Sequence, residues 1–104
     1  MQDMETVCFQ IISNAGTARS LFMEAISEAR DNNFEKVDDM FKEANKYFSE
    51  AHKIHGQLIQ KEAKGENVPF SLLFMHAEDL LISTETMKHL AKELVHIYKK
   101  CNHS

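Results

Sequence analysis

Two short polar segments divide this sequence, and glycine and proline, the residues that most often interrupt helices, are scarce in it. The 104-residue chain has only three glycines and one proline. The first break is the polar segment Arg30–Asn33, and the second is Lys64–Pro69. Outside these breaks apolar residues recur at alternating steps of three and four, which is the spacing of one face of an α-helix. The sequence therefore predicts three long helices of about 28–32 residues each.

Each predicted helix has one apolar stripe that we assign to the core. Gly16 interrupts the first helix, and a glycine in mid-helix often marks the close approach of another backbone. Asn33 is expected to cap the second helix, Gly65 to end it, and the third helix to begin at or just after Pro69. The predicted core residues are Val7, Ile11, Ala15, Ala18, Phe22, Ala25 and Ala29, then Val37, Phe41, Ala44, Phe48, Ala51, Ile54 and Leu58, then Leu73, Ala77, Leu80, Thr84, Met87, Ala91, Leu94 and Tyr98.

Short connections between long helices make neighbouring helices antiparallel. We therefore predict an all-α fold, an up-down-up antiparallel three-helix bundle, with residues 1–104 forming a single domain. This topology puts Cys8 and Cys101 at opposite ends of the molecule, so two free thiols are expected.

The charge and hydropathy of the chain exclude two classes of partner. Its net charge of −4 leaves no basic surface for nucleic acid or anionic lipid. No apolar segment is long enough to span a bilayer, and the acidic start Met1–Glu5 does not resemble a secretory signal. We therefore expect a cytoplasmic protein that does not insert into the membrane.

The third helix has more apolar surface than the core of one chain needs. A second stripe lies beside the core stripe on a helical wheel, while Glu78, Glu85 and Lys92 face the other side and are expected to be solvated. An exposed apolar stripe of this size favours self-association over a scatter of surface residues. The second stripe consists of Leu72, Met75, His76, Asp79, Ile82, Ser83, Thr86 and Leu90.

His76 is the leading candidate for a reactive side chain. It shares one face of the third helix with Asp79, three residues further on. A neutral imidazole is a nucleophile near neutral pH, and a nearby carboxylate or carbonyl can fix which ring nitrogen is free. A nucleophilic imidazole and a group that fixes its tautomer are the least that reversible phosphoryl transfer to histidine requires. The alternative is a partly buried histidine that is hydrogen-bonded at an interface.

The other five histidines carry weaker signals. His52 and His55 have the spacing of a metal pair but lack an obvious third ligand. His89 and His96 are expected to be solvated or at an interface, and His103 to lie in a fraying tail. The sequence has no glycine-rich phosphate loop, no serine nucleophile elbow, no Cys-x-x-Cys and no His-Glu-x-x-His.

The segment around His76 resembles the active-site segment of the lactose/cellobiose-type enzyme IIA of the bacterial sugar phosphotransferase system. Residues 71–83 read Ser-Leu-Leu-Phe-Met-His-Ala-Glu-Asp-Leu-Leu-Ile-Ser, and the family typically has Ser-Leu-Leu-x-x-His-Ala-Gln-Asp-His-Leu-Met. Residues 11–20 are similar to the family's first helix, and residues 51–54 and 58–63 are similar to its second. Three blocks in the same order extend the resemblance over essentially the whole chain.

The resemblance implies a specific role in sugar uptake. His76 would accept a phosphoryl group from the carrier HPr, as a phosphohistidine at the tele nitrogen, and pass it to a cysteine of the cognate enzyme IIB. The membrane subunit IIC would then import and phosphorylate a β-linked disaccharide. The family forms homotrimers, and Asp79 would share one metal ion, Mg²⁺, with its two copies across the trimer axis.

Two residues depart from the family's pattern, and two other functions remain open. Glu78 stands where the family usually has glutamine, and Leu80 stands where it often has a second histidine. Glu78 is expected to alter local charge and Leu80 to face the core, so that transfer through His76 survives. The alternative functions are a histidine phosphotransfer domain of two-component signalling and a non-catalytic helical interaction module. The sugar is not encoded in this chain.

Overall fold

Three helices account for nearly all of the chain. The computed structural model describes residues 3–101, which form α1 (Met4–Arg30), α2 (Phe34–Ala63) and α3 (Leu72–Cys101). The helices have 27, 30 and 30 residues and pack up-down-up into a bundle with principal extents of 57 × 20 × 19 Å. The predicted all-α three-helix fold is confirmed. His103 lies outside the described residues.

Both breaks end a helix through a residue with left-handed backbone. Asn32 has a φ of 68° and Gly65 a φ of 85°, a conformation that glycine and asparagine tolerate better than other residues. After α1, the backbone N–H of Asn33 donates to the carbonyl of Glu28 at 2.8 Å and thereby satisfies a carbonyl of the last turn. At the second break, Gly65 with its left-handed backbone follows the last turn of α2, so it ends that helix as predicted.

The two later helices begin differently from one another. Asn33 precedes α2 but makes no capping bond, because its ψ of 59° lies outside the extended region that an N-cap needs. Its amide donates instead to Glu28 at 2.9 Å, so Asn33 occupies the predicted N-cap position but does not make the side-chain bond of a cap. At α3 the hydroxyl of Ser71 accepts the N–H of Phe74 at 3.0 Å. This cap starts α3 at Leu72, just after Pro69 rather than at it.

The first helix, α1, is the centre of the bundle. It packs extensively on both other helices, whereas α2 and α3 meet each other over a much smaller surface. The predicted stripe of α1 is buried from Ile11 to Ala29, and its four alanines are fully inaccessible. Small side chains let helix backbones approach closely, so each neighbour lies directly against α1.

The core stripe of α3 is displaced from the predicted one. Phe74, Leu81 and Val95 are buried, whereas Leu94, which we predicted in the core, is 38% exposed. Leu73 and Leu80 are only partly buried. The reason is that α3 has apolar residues on neighbouring lanes and packs chiefly against α1, a preference that periodicity alone does not reveal.

The two cysteines are free, as predicted. Cys8 is buried and Cys101 is exposed, and burial raises the pKa of the Cys8 thiol above its ordinary value. Within residues 3–101, no helix combines the length and the apolar character that crossing a membrane requires.

The Ser71 cap gives a test of how α3 is started. Ser71→Ala removes the acceptor of the Phe74 N–H and should lower the free energy of unfolding by about 1 kcal/mol. Chemical denaturation followed by circular dichroism measures the change. Ser49→Ala, at an exposed site in the middle of α2, is the control and should cost nothing. Equal stability of the two variants would show that the cap is dispensable.

Candidate functional site

His76 is exposed on the second turn of α3. Its neighbour Ala77 is fully buried against the core, so the backbone that carries His76 is held while the imidazole remains accessible. On one side the ring borders a groove of about 620 Å³ between α1 and α3. On the other it borders a hollow of about 500 Å³ with Leu72 and Leu73 at the start of α3.

The groove extends along α1 past Gly16 and Arg19. A Cβ placed at Gly16 would meet no atom within 4 Å, so the close backbone approach that we considered is absent within the chain. Arg19 is the cation of the groove, yet it lies too far from His76 to touch it. The hydroxyl of Thr84 lies 3.4 Å from the carbonyl of Ala15, so these two residues are at the same level of the parallel helices α3 and α1. His76 precedes Thr84 on α3 and Arg19 follows Ala15 on α1, which separates them by about 18 Å along the bundle.

Asp79 lies on the same exposed face as His76, as predicted from their spacing. The hydroxyl of Ser83, one turn on, donates to the carbonyl of Leu80 at 3.1 Å. No three potential metal-ligating side chains cluster within the described chain. A carboxylate oxygen such as that of Asp79 is a suitable ligand for a hard divalent cation, but within the described chain Asp79 has no such cluster around it.

The predicted second stripe of α3 is exposed in the single chain. Leu72 is 82%, Ile82 60% and Leu90 57% exposed. Ile97, at 52%, extends this apolar surface towards the end of the helix. So much apolar area along one helix is typical of a surface that a partner covers.

Glu78 does not face solvent as we expected. Its carboxylate pairs with Nε2 of His55 on α2 at 2.9 Å, and the two side chains are only 34% and 18% exposed. The helical wheel misplaced Glu78 because α2 packs on the flank of α3 that we took to be solvated. Leu80 is half-buried against the core and also lines the groove beside His76.

The remaining described histidines do not form a second site. His52 packs near the Phe48 ring, with centroids 5.9 Å apart, while His55 is bonded to Glu78. His89 and His96 are exposed on α3. Among the histidines of residues 3–101, His55 is the one whose ring is hydrogen-bonded to another side chain, so the ring of His76 is free to react.

Sequence reasoning missed the contact between His55 and Glu78. The two residues are 23 positions apart, and no local pattern links them. The sequence contained only an indirect signal. His55 lies beside the predicted core stripe of α2 and Glu78 beside that of α3, and the two helices were predicted to be neighbours. The two side chains meet because of the rotation that α3 adopts in the folded structure, which the sequence does not give.

Comparison with known proteins identifies a family. A profile of the family described as the PTS system, lactose/cellobiose specific IIA subunit, matches residues 6–99. The oligo-beta-mannoside-specific EIIA component of Bacillus subtilis is 42% identical over 94% of this chain and 89% of its own length. The lactose-specific EIIA component of Staphylococcus epidermidis is 38% identical over 94% of both chains.

Solved structures agree with the sequence matches. The cellobiose-specific enzyme IIA of Bacillus anthracis superposes with a TM-score of 0.92 and 40% identity, over 97% of this chain and 93% of that one. The IIA(Chitobiose) protein of Escherichia coli, solved as a complex with HPr, gives a TM-score of 0.83 and 28% identity over 97% and 98% of the two chains.

The His55–Glu78 pair should contribute measurably to stability. A double-mutant cycle of His55→Ala and Glu78→Ala should give a coupling of about 0.5–1 kcal/mol in the free energy of unfolding, because the pair is partly shielded from water. The exposed Arg30–Asp31 pair, at 3.7 Å with side chains 61% and 63% exposed, is the matched control. Its coupling should be near zero, and equal couplings would contradict the prediction.

Proposed function

Because this chain belongs to the lactose/cellobiose-specific IIA family of the sugar phosphotransferase system, we propose that it carries a phosphoryl group on His76. Membership makes it a phosphotransferase component. The observation that supports this residue is the accessible imidazole of His76 on a helix whose backbone is fixed by buried neighbours.

The proposed donor is the phosphohistidine of HPr. A protein of the same fold and family, the IIA(Chitobiose) of Escherichia coli, has been solved in complex with HPr. Such a small protein could dock at the groove between α1 and α3, which borders His76 on the side away from Leu72.

Transfer from HPr exchanges one N–P bond for another. The lone pair of Nε2 of His76 attacks phosphorus, and the N–P bond to the HPr imidazole breaks with its electron pair returning to that ring. If each ring keeps its other N–H throughout, no net proton moves. Helical side chains point towards the N-terminus of their helix, so the transferred group lies near the first turn of α3, whose dipole favours an anion.

The proposed acceptor is a cysteine thiolate of the cognate enzyme IIB. Its sulfur attacks phosphorus, an S–P bond forms, and the N–P bond to His76 breaks to regenerate the neutral imidazole. The phosphoryl group then reaches the sugar as the membrane subunit IIC imports it. A β-linked oligosaccharide is the proposed sugar, because the relatives are named for lactose, oligo-beta-mannoside and cellobiose.

We also propose that three copies associate through the exposed apolar face of α3. Leu72, Ile82 and Leu90 would become buried, and the three Asp79 carboxylates would converge on the axis. Like charges in such a setting repel strongly. One Mg²⁺ held by Asp79 from each chain would offset most of this repulsion, so its role would be structural.

The phosphoryl acceptor is tested by intact mass. Incubation with phosphoenolpyruvate, enzyme I and HPr should add one acid-labile phosphoryl group of about 80 Da per chain. His76→Ala should remain folded and gain nothing, since it lacks the nucleophile. His89→Ala, an exposed histidine of the same helix, is the control and should gain the full group. Uptake by His76→Ala, or none by the unaltered protein, would refute the assignment.

The metal proposal is tested at Asp79. Asp79→Leu removes the converging carboxylates, so the purified protein should lose bound Mg²⁺ while the trimer persists or tightens. Elemental analysis and light scattering after gel filtration give the two readouts. Glu85→Leu, at another exposed carboxylate of α3, should keep the metal. Dissociation of Asp79→Leu into monomers would mean that the metal is the main cohesive element.

A further inference from the structure

The rotation of α3 about its own axis is not determined by its apolar residues alone. Leu72–Met75 are four consecutive apolar residues, and Leu80–Ile82 are three more. Leu81 is buried, and Leu80 on the neighbouring lane is half-buried against the same core, so apolar side chains of both lanes contact it. The displacement between the predicted and observed core stripes of α3 has this origin.

That rotation decides where His76 points. Side-chain atoms lie about 6 Å from a helix axis, so a turn of about 30° displaces them by about 3 Å. Misplacing a reacting group by about 1 Å can slow a reaction by about 100-fold. A carrier whose residue meets two partners therefore needs its helix held at one rotation.

Polar contacts supply what apolar packing leaves undetermined. The contact surface between α2 and α3 is small, and three interactions bridge it. Nζ of Lys88 lies 5.1 Å from the centroid of the Phe48 ring, and Nζ of Lys99 lies 6.0 Å from that of Phe34. These two are towards the middle and the far end of α3, away from His76.

The third bridge is the one close to His76. Glu78 follows His76 by two residues, points to the opposite flank of α3, and pairs with Nε2 of His55 at 2.9 Å. A hydrogen bond is directional and short in range, so it breaks on rotations that apolar contacts tolerate. At 18% and 34% side-chain exposure, the pair is partly shielded from competing water.

We propose that His55 is a positioning residue for phosphoryl transfer. Through its bond to Glu78 it fixes the rotation of α3 about its axis, and that rotation sets the direction in which the His76 side chain points. The proposal rests on the transfer through His76 proposed above. His55 does not touch the phosphoryl group and exchanges no proton with it. Its ring N–H donates to the Glu78 carboxylate throughout the cycle.

The test compares rates of transfer from phospho-HPr by rapid quench. His55→Ala should take up the same single phosphoryl group, but with kcat lowered at least about tenfold and KM for phospho-HPr little changed. His55→Gln, whose amide can still donate to Glu78, should recover most of the rate. Glu78→Ala should match His55→Ala, and the double variant should be no slower than either, because both remove the same bond.

Lys99→Ala is the matched control. It removes another bridge between α2 and α3, at the end remote from His76, and its rate should equal that of the unaltered protein. Proton–nitrogen NMR spectra should show shifted amides along residues 72–81 for His55→Ala but not for Lys99→Ala. Thermal unfolding identifies any variant that has simply failed to fold, and Glu78→Ala then serves in place of His55→Ala.

Three results would overturn the proposal. They are a normal kcat for folded His55→Ala, equal slowing by Lys99→Ala, and a change confined to KM, which would make His55 a docking residue. Failure of the proposed function looks different: the unaltered protein would then accept no phosphoryl group at all. A slow His55→Ala with full final uptake separates the two.

Discussion

The close packing of two helices on the alanine-rich faces of α1 is the constraint on which the rest of the structure depends. Ala15, Ala18, Ala25 and Ala29 are completely inaccessible, and their small side chains let α2 and α3 lie against the α1 backbone. Burial of this kind stabilises long helices that would be marginal alone. It also draws both helices towards α1, and their mutual contact becomes correspondingly small.

The candidate site follows from this arrangement. Held mainly through α1, α3 keeps one long apolar face uncovered, and His76 lies on the border between that face and the α1–α3 groove. Both the exposed imidazole and the uncovered apolar face therefore belong to one helix. The polar contacts of α3 with α2, including that of Glu78 with His55, add to the packing by which α1 holds this helix.

The fold could be predicted from sequence because the breaks are few and α1 and α2 each have one distinct apolar stripe. From Ile11 to Ala29, every predicted core residue of α1 is buried. The same reasoning failed on α3, where adjacent lanes are both apolar and Leu94 was assigned to the wrong one. Of the site, the shared face of His76 and Asp79 followed from helical spacing. The pairing of Glu78 did not, because a contact between residues far apart in sequence depends on tertiary rotation.

The placement of the two thiols has a consequence for the phosphoryl transfer proposed at His76. Sulfur is a competent acceptor of a phosphoryl group only as an accessible thiolate. Cys8 is 1% exposed, and burial raises the pKa of its thiol, which disfavours the thiolate. Cys101 is exposed, but it lies about 37 Å along α3 from His76. Under the proposed function, a phosphoryl group on His76 would have no accessible thiolate of its own chain within reach, and its N–P bond would persist until another molecule presented one.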